Sequence, residues 1–321
     1  MPIFTGDGEV VEVLEPIPPT PPTAEALFGA PTVTWTAPDG TTWPLTDSSR
    51  GWWAIDAAVA WGAVPLSTTL DALPTGGASM RHQQPQPRYM TWPIRVIGSS
   101  HMEFLARWRQ LQWAFTQTRL RGPGRLTVVR PDGSARWIDA HYSSGFDGTP
   151  GGGTWEDDAI VQLVCLDPWW KALETLVIER RYTAAPVPFL APYPTITSSQ
   201  TLGDTTIVNP GEDTAWGTWT ITGPASGVTA TLNSTGESWT LDPDADGVDH
   251  GPLLAGEIVT VSTKPLQVRG PAGEVWTEAL NWPAAQPWGL PPGESSVTFT
   301  VSGSGAGTSI AYELPICYGT A

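Results

Sequence analysis

Lysine is nearly absent from this chain, and arginine carries almost all of its positive charge. Lys171 and Lys264 are the only lysines among 16 basic residues, which face 32 acidic residues and leave a net charge of −16. The excess of acidic residues is larger in the second part of the chain. Up to Leu190 there are 14 basic and 19 acidic residues, whereas from Ala191 onward there are 2 basic and 13 acidic residues. Phosphate contacts need Lys and Arg, so we expect no direct nucleic-acid recognition.

Cysteine, histidine and long apolar runs are scarce as well. Cys165 and Cys317 each lie in an apolar run, so we expect two buried free thiols in separate domains rather than a disulfide. None of the four histidines stands at zinc-ligand spacing from a Cys or another His. No run approaches the roughly 18 apolar residues of a membrane-spanning helix, and the N-terminal residues lack a signal-peptide pattern. We therefore expect a protein that is made in a cytoplasm, does not insert into membranes and needs no cofactor.

The sequence also lacks the short motifs of common enzymes. No Gly-x-Ser-x-Gly elbow occurs, and the glycine-rich stretch at 145–153 lacks the Lys-Ser/Thr pair of a phosphate-binding loop. Neighbouring acids such as Asp157 and Asp158 are interpreted as solvated loop residues. A glycosidase pair supplied by distant strands stays open as an alternative. We expect no enzymatic activity.

The abundant residues favour an all-β protein with many turns, since the chain has 33 prolines, 34 glycines and 18 tryptophans. The tripeptide Pro38-Asp39-Gly40 separates alternating segments at 33–36 and 41–45, and Pro131-Asp132-Gly133 separates similar segments at 126–130 and 135–142. Proline presets the first corner of such a turn, and glycine takes the position with positive φ. The sequence therefore predicts two β-hairpins, with an exposed loop at 73–86 and a strand at 92–97 between them.

One helix is predicted over residues 100–118. Ser100 and Glu103 form a capping box, and Gly122 lies beyond its C-terminal end. An apolar stripe at helical spacing predicts the face that packs on the core: Phe104, Leu105, Trp108, Leu111 and Phe115. Four polar residues are predicted to face away from it: Arg107, Arg109, Gln110 and Gln117.

Seven arginines cluster in and after this helix, and their role has two interpretations. They are Arg107, Arg109, Arg119, Arg121, Arg125, Arg130 and Arg136. They could form a solvated helix face and hairpin edge, or they could form salt bridges to an acidic neighbouring subunit.

Four regions are predicted along the chain. Residues 1–30 form a proline-rich N-terminal arm, residues 31–185 a first domain, residues 186–194 a stiff proline-rich linker and residues 195–321 a second domain. In the second domain about eight short alternating segments predict a β-sandwich of jelly-roll type. They lie at 205–208, 218–222, 228–233, 237–241, 258–262, 273–280, 296–301 and 309–314.

Two features of the second domain are candidate binding positions. Asp242, Asp244 and Asp246 begin like a calcium loop, but Leu253 stands where the closing carboxylate belongs, so we expect a polar turn with a weak cation site as the alternative. Trp282 and Trp288 lie in a proline-rich loop, where exposed indoles could stack on sugar rings, although packing in the core or at its edge is the favoured interpretation. Trp219 and Trp239 lie in alternating strands and are predicted to be core residues.

The order of these features resembles the distal tail proteins of siphophages, the phages with long, non-contractile tails. The resemblance rests on the hairpin at 33–45, the helix, the hairpin at 122–133, Asp167-Pro168-Trp169-Trp170, and Asn209-Pro210-Gly211 followed by Ile221-Thr222-Gly223-Pro224. It covers nearly all of the chain beyond residue 30.

This resemblance implies a mainly β fold. It combines an N-terminal β-sandwich or split-barrel belt domain that carries one α-helix with a C-terminal galectin-like β-sandwich. It also implies a non-enzymatic baseplate protein at the distal end of the virion tail. Such proteins form a homo-oligomeric ring, usually a hexamer, that joins the tail tube protein to the tail-tip hub protein and to tail fibre or receptor-binding proteins. Two alternatives remain: a carbohydrate-binding adhesin that acts in host attachment through the C-terminal β-sandwich, and a glycan-degrading enzyme.

Overall fold

The computed structural model describes residues 29–55, 61–148, 153–182 and 200–321, and the side chains of residues 200–202 are excepted. The described residues form two compact units. The first unit contains the residues up to Leu173 together with Cys317–Ala321, and the second unit contains Glu174–Ile316. Both are built mainly of antiparallel strands, as the sequence predicts.

The first unit is one large, curled antiparallel sheet with a helix on it. Its elements are β1 (Thr32–Thr36), β2 (Thr42–Pro44), β3 (Trp52–Ala54), β4 (Leu66–Ala72), β5 (Ala78–Pro85), β6 (Arg88–Ile97), α1 (His101–Thr116), α2 (Thr118–Arg121), β7 (Gly124–Val129), β8 (Ala135–Ser144), β9 (Glu156–Cys165) and β10 (Trp170–Ala172). The main strand order is β2-β1-β7-β8-β9-β6-β3, and β10 pairs with β8. Strands β4 and β5 form a separate two-stranded sheet.

Aromatic side chains join α1 to the large sheet. The Nε1 of Trp35 donates a hydrogen bond of 2.9 Å to the carbonyl of Ala114, and its ring stacks on Phe115 with centroids 4.8 Å apart. A Cβ at Gly124 would lie 2.3 Å from the Trp35 ring, so only glycine leaves room for this indole. The helix therefore closes the core of the first unit.

The predicted helix is confirmed, with two differences. The Ser100 hydroxyl accepts a hydrogen bond from the Glu103 backbone N–H, but the Glu103 carboxylate accepts from the N–H of Ser99 at 2.7 Å rather than from that of Ser100. The apolar stripe lies inward. The prediction that Gln117 faces solvent is wrong, because the chain turns there into α2 and packs against β8, where the Thr118 hydroxyl accepts from the Tyr142 N–H.

The second unit is a β-sandwich of two antiparallel sheets. Its strands are β11 (Leu176–Arg181), β12 (Gln200–Asn209), β13 (Thr218–Thr222), β14 (Gly227–Leu232), β15 (Ser238–Leu241), β16 (Ile258–Thr263), β17 (Leu266–Arg269), β18 (Gly293–Ser302) and β19 (Ser309–Leu314). One sheet has the order β11-β19-β13-β16-β17, and the other has the order β12-β18-β14-β15. The strand predicted at 273–280 is wrong, because a turn at Gly273 and a 3-10 turn at Thr277–Ala279 occupy that segment.

A cluster of aromatic rings fills the centre of this sandwich. The ring of Trp219 stacks on Tyr312 with centroids 3.9 Å apart. It also meets the edges or faces of Trp239, Trp288 and Phe299 at 5.2–5.7 Å. Burial raises the pKa of the Tyr312 hydroxyl, so this ring stays neutral. The prediction that Trp219 and Trp239 are core residues is confirmed.

The unit boundaries differ from the predicted domain boundaries at two places. Strand β11 pairs with β19, so residues 176–181 belong to the second unit rather than to the domain predicted at 31–185. The last strand, β20 (Cys317–Tyr318), pairs with β10 and belongs to the first unit rather than to the domain predicted at 195–321. The prediction that Cys165 and Cys317 lie in separate domains is therefore wrong, although both side chains are buried as expected.

Burial raises the pKa of the Cys165 thiol to about 12, which leaves it unreactive at neutral pH. The linker predicted at 186–194, and nearly all of the arm predicted at 1–30, lie outside the described residues.

Candidate interaction surfaces

The described part of the chain has open depressions rather than enclosed cavities, and one of about 390 Å³ lies beside Glu179, Arg181 and Thr308 in the second unit. A depression of about 170 Å³ lies beside Asp139, His141 and Lys171 in the first unit, below the roughly 300–1,000 Å³ of common ligand pockets. Within the described ranges, no three His, Cys, Asp or Glu side chains are grouped so that they could hold a metal ion. No helix in the part of the chain that the structure describes is long and apolar enough to span a membrane.

The three aspartates of the calcium-like segment lie on an exposed turn after β15. The Asp242 carboxylate accepts a hydrogen bond of 3.0 Å from the backbone N–H of Asp244, so it supports its own turn. Asp246 is exposed, and Leu253 points into the core of the second unit. The three aspartates therefore lie on one turn, and the position of the closing carboxylate is taken by the buried Leu253.

The two tryptophans proposed for sugar stacking have different surroundings. Trp288 is only 1% exposed, and its Nε1 donates to the carbonyl of Ala230 at 3.3 Å. The proline-rich loop carries it into the aromatic core, as the favoured interpretation expects, and its ring is not accessible to a sugar. Trp282 is 47% exposed, and its Nε1 donates to the carbonyl of Thr277 at 2.9 Å, which fixes the direction of the ring.

Four of the seven clustered arginines interact within the first unit. Arg107 forms an ion pair with Glu103, and Arg125 forms one with Asp139. Arg130 and Arg136 donate to the carbonyls of Ala321 and Thr320.

The remaining three are Arg109, Arg119 and Arg121, which are exposed on α1 and α2. These three arginines form a basic surface. The hypothesis that they form salt bridges to an acidic neighbouring subunit stays a prediction.

The hairpin of β4 and β5 exposes apolar side chains of the first unit. Every residue of β5 is exposed, and Asp71 is the only residue of β4 that is not. Residues 73–86 were predicted to be an exposed loop. Their exposure is confirmed, but residues 78–85 form a strand. Gly76, Gly77 and Pro85 suggested a loop, whereas Gly76 and Gly77 are the positive-φ turn of a hairpin. Leu66, Thr68 and Leu70 already showed the period of a strand.

Several solved structures have a similar fold. No protein-family model matches the sequence, and no curated protein matches it. The Dit protein (gp 19.1) of phage SPP1, described as a paradigm of the hub adsorption apparatus in phages that infect Gram-positive bacteria, superposes with a TM-score of 0.61 at 12% identity. That match covers 89% of this chain and 98% of the SPP1 chain.

The fold is that of a phage distal tail protein. Chains of the phage p2 baseplate, in its activated conformation with Sr and with Ca, superpose with TM-scores of 0.52 and 0.54 at 8% and 10% identity. These matches cover 85% and 90% of this chain and 98% of each baseplate chain. The resemblance that the sequence suggested is therefore confirmed at the level of the fold.

Proposed function

We propose that this protein is a structural component of a phage tail tip. The observation that carries the proposal is the extent of the match to SPP1 Dit, which spans 89% of this chain and nearly all of that one. Both units therefore take part in the similarity. Fold alone does not define function, so the proposal also draws on the features of the chain itself.

We propose further that the first unit forms a homohexameric ring that joins the tail tube protein to the tail-tip hub protein. The second unit, as a galectin-like domain, would lie on the outside and contact tail fibre or receptor-binding proteins in host attachment. The exposed apolar hairpin of β4 and β5 in the first unit supports a role in assembly, because exposed apolar patches mark interaction sites. The role is non-catalytic and places the protein at the distal end of the virion tail.

Light scattering coupled to size exclusion tests the ring directly. Six copies of the 34.3 kDa chain should give a particle of about 206 kDa, and negative-stain images should show a ring with a central opening. A monomer at micromolar concentration that does not assemble after tail partners are added would overturn the ring.

A carbohydrate-binding adhesin is the second candidate function, and Trp282 is the observation that favours it. Its indole is half-exposed and held by a hydrogen bond, which is how a rigid stacking platform for a sugar is built. Trp282→Ala should remove binding to host polysaccharide in calorimetry without changing the thermal melt. Trp216→Ala, which removes another partly exposed indole of the second unit, is the matched control. Equal binding by the wild type and the Trp282 variant would eliminate this candidate.

A further inference from the structure

The side of α1 that points away from the sheet carries a second stripe, which is both apolar and basic. Four exposed residues at helical spacing form it, opposite the buried stripe: Met102, Ala106, Arg109 and Trp113. Met102 is 70% exposed and Trp113 is 49% exposed. Tryptophan, methionine and arginine are residue types that protein interfaces concentrate, so this stripe has the composition of a contact surface.

Helix α2 extends this stripe. The N–H of Gln117 donates to the carbonyl of Trp113 at 3.1 Å, and the N–H of Arg121 donates to the carbonyl of Gln117 at 3.1 Å, so α2 nearly continues α1. Leu120 lies about two turns beyond Trp113 and is 64% exposed. It stands between the exposed Arg119 and Arg121. The stripe on α1 and these three residues of α2 are named the outer helix surface.

The arginines of the outer helix surface lack acidic partners within the described ranges. None of them forms an ion pair there, in contrast to Arg107 on the same helix, which pairs with Glu103. Asp39 lies close to Arg121, but its carboxylate is held by the hydroxyl and the backbone N–H of Thr41 at 2.6 and 2.9 Å. A surplus of positive charge next to exposed apolar groups, on a chain with a net charge of −16, fits an acidic partner that is also apolar.

Residues 1–28, which precede the described part of the chain, have this composition. They contain acidic residues and no basic residue, since the first basic residue in the sequence is Arg50. Three of the acids recur at every third position: Glu9, Glu12 and Glu15. Between them lie only apolar residues: Val10, Val11, Val13 and Leu14. Residues 9–15 are named the acidic–apolar segment.

The chain between this segment and the described residues is long enough to reach the outer helix surface of the same copy. Gly29 lies beside Pro131, and from there the chain runs along β1 toward Asp39, which is close to Arg121. The path from Gly29 to that end of β1 measures about 25 Å at the spacing of a strand. Residues 16–28 are rich in proline and can span up to about 40 Å at about 3.1 Å per residue.

We infer that the acidic–apolar segment packs on the outer helix surface of its own copy. Its glutamates pair with Arg109, Arg119 and Arg121, and its valines and leucine cover Trp113 and Leu120. Attachment to the same chain gives the segment an effective concentration on the order of millimolar, so contacts that are individually weak suffice. Stiff prolines lower the entropy cost of holding the segment in place. The contact lies within one copy, so the inference does not rest on the proposed ring.

The first test measures how well the segment shields the surface in the full-length protein. The probe is Leu120→Cys, because the native cysteines are buried. Replacement of all three glutamates of the segment by lysine should raise the rate of maleimide labelling at this thiol by about tenfold or more. The control is Ile160→Cys, an exposed position on the side of the sheet that faces away from the core, whose labelling rate should not respond to the lysines. An unchanged rate at Leu120→Cys would overturn the inference.

A charge exchange then tests the arginines themselves. In the lysine variant, the combined substitutions Arg109→Glu, Arg119→Glu and Arg121→Glu restore opposite charges on the two surfaces. The labelling rate of Leu120→Cys should return toward that of the parent protein. A rate that stays high, in a protein with the thermal melt of the parent, would show that these arginines do not hold the segment and would overturn the inference.

The second test identifies the copy that supplies the segment. Val13→Cys and Leu120→Cys are combined in one chain and treated with a short bis-maleimide. Mass spectrometry of the monomer should find the two positions joined, whereas the matched pair of Val13→Cys and Ile160→Cys should give no such link. A covalent dimer instead of the internal link would mean that a neighbouring copy supplies the segment. The absence of any link would mean that the segment does not bind this surface, and either result would overturn the inference.

Discussion

Arg88 begins β6 with its side chain only 1% exposed. Its guanidinium donates to the carbonyls of Gly62 at 2.7 Å, Gly319 at 2.8 Å and Pro168 at 3.0 Å. Burial lowers the pKa of Arg88 because the charged form loses its water, and these carbonyl dipoles offset part of that loss. One side chain thus joins three distant segments of the first unit.

Replacement of this arginine should be strongly destabilising. We expect Arg88→Met to lower the free energy of unfolding of the first unit by about 3 kcal/mol or more, because three buried carbonyls lose their donor. The matched control is Arg95→Met on the same strand, whose partly exposed pair with Asp158 is screened by solvent and should contribute much less. Urea unfolding measures both, and similar losses would contradict the assigned role of Arg88.

Asp132 supports the second Pro-Asp-Gly turn, as Asp39 supports the first. Its carboxylate accepts from the Ser134 hydroxyl at 2.6 Å and from the Ser134 backbone N–H at 2.8 Å. These hydrogen bonds hold the pKa of Asp132 below its usual value. A lowered folded-state pKa means that the ionised group stabilises the fold above the unfolded pKa, and that this contribution is lost as the pH falls through the folded pKa.

We therefore expect the melting temperature of the first unit to decrease when the pH is lowered below about 4, where unfolded aspartates begin to bind protons. Asp132→Asn keeps an oxygen acceptor but cannot titrate, so the loss between pH 5 and pH 2.5 should be smaller in this variant. Glu156→Gln removes an exposed charge of the same unit as a control. Identical pH profiles for wild type and Asp132→Asn would refute this account of the turn.

At the scale of the element, α1 depends on one tryptophan. Trp108 is buried, and its ring meets Phe104 at 5.7 Å and Phe146 at 5.2 Å, the latter edge to face. Phe146 follows Gly145 and has a φ of 58°, a backbone conformation that residues other than glycine rarely adopt. The contacts of the helix evidently hold it there.

Trp108→Ala should cost about 3–5 kcal/mol in the first unit, as large-to-small aromatic substitutions in cores do. Arg109→Ala, one residue along on the exposed side, should change stability by less than about 0.5 kcal/mol. Thermal or urea unfolding of the two variants gives the comparison. Equal effects would mean that the buried face of the helix is assigned incorrectly.

At the scale of the whole molecule, the chain passes between the two units twice, near residue 173 and again near residue 316. A fragment cut at residue 191 therefore differs from a fragment that contains the whole second unit. The shorter piece loses β11, whose six residues pair with β19 from Leu176–Leu314 to Arg181–Ser309. It also leaves residues 317–321 without the strand β10.

We expect residues 174–316 to fold alone with a cooperative melt, because they contain a complete two-sheet core. Residues 192–321 should melt at lower temperature and aggregate more readily, since an edge of β19 becomes open for pairing. Circular dichroism and light scattering on both fragments test this. A fragment 192–321 as stable as 174–316 would show that β11 is dispensable.

The sequence alone determined the elements whose signals are local. The helix has its N-cap and apolar stripe within one segment, the two Pro-Asp-Gly hairpins have their turn chemistry in three residues, and alternation marked most strands of the sandwich. These signals also sufficed to suggest the fold that the solved structures share. Local periodicity is decided by the chain itself, so it can be read without a partner.

Which distant segments meet depends on the folding of the whole chain. The tertiary structure assigned β11 and β20 to units other than those predicted, because their pairing partners lie far away in the sequence. It buried Gln117 and Trp288, whose surroundings come from other elements. It also revealed the β4–β5 hairpin as a strand pair with an uncovered apolar face, since exposure depends on what the rest of the chain leaves unoccupied.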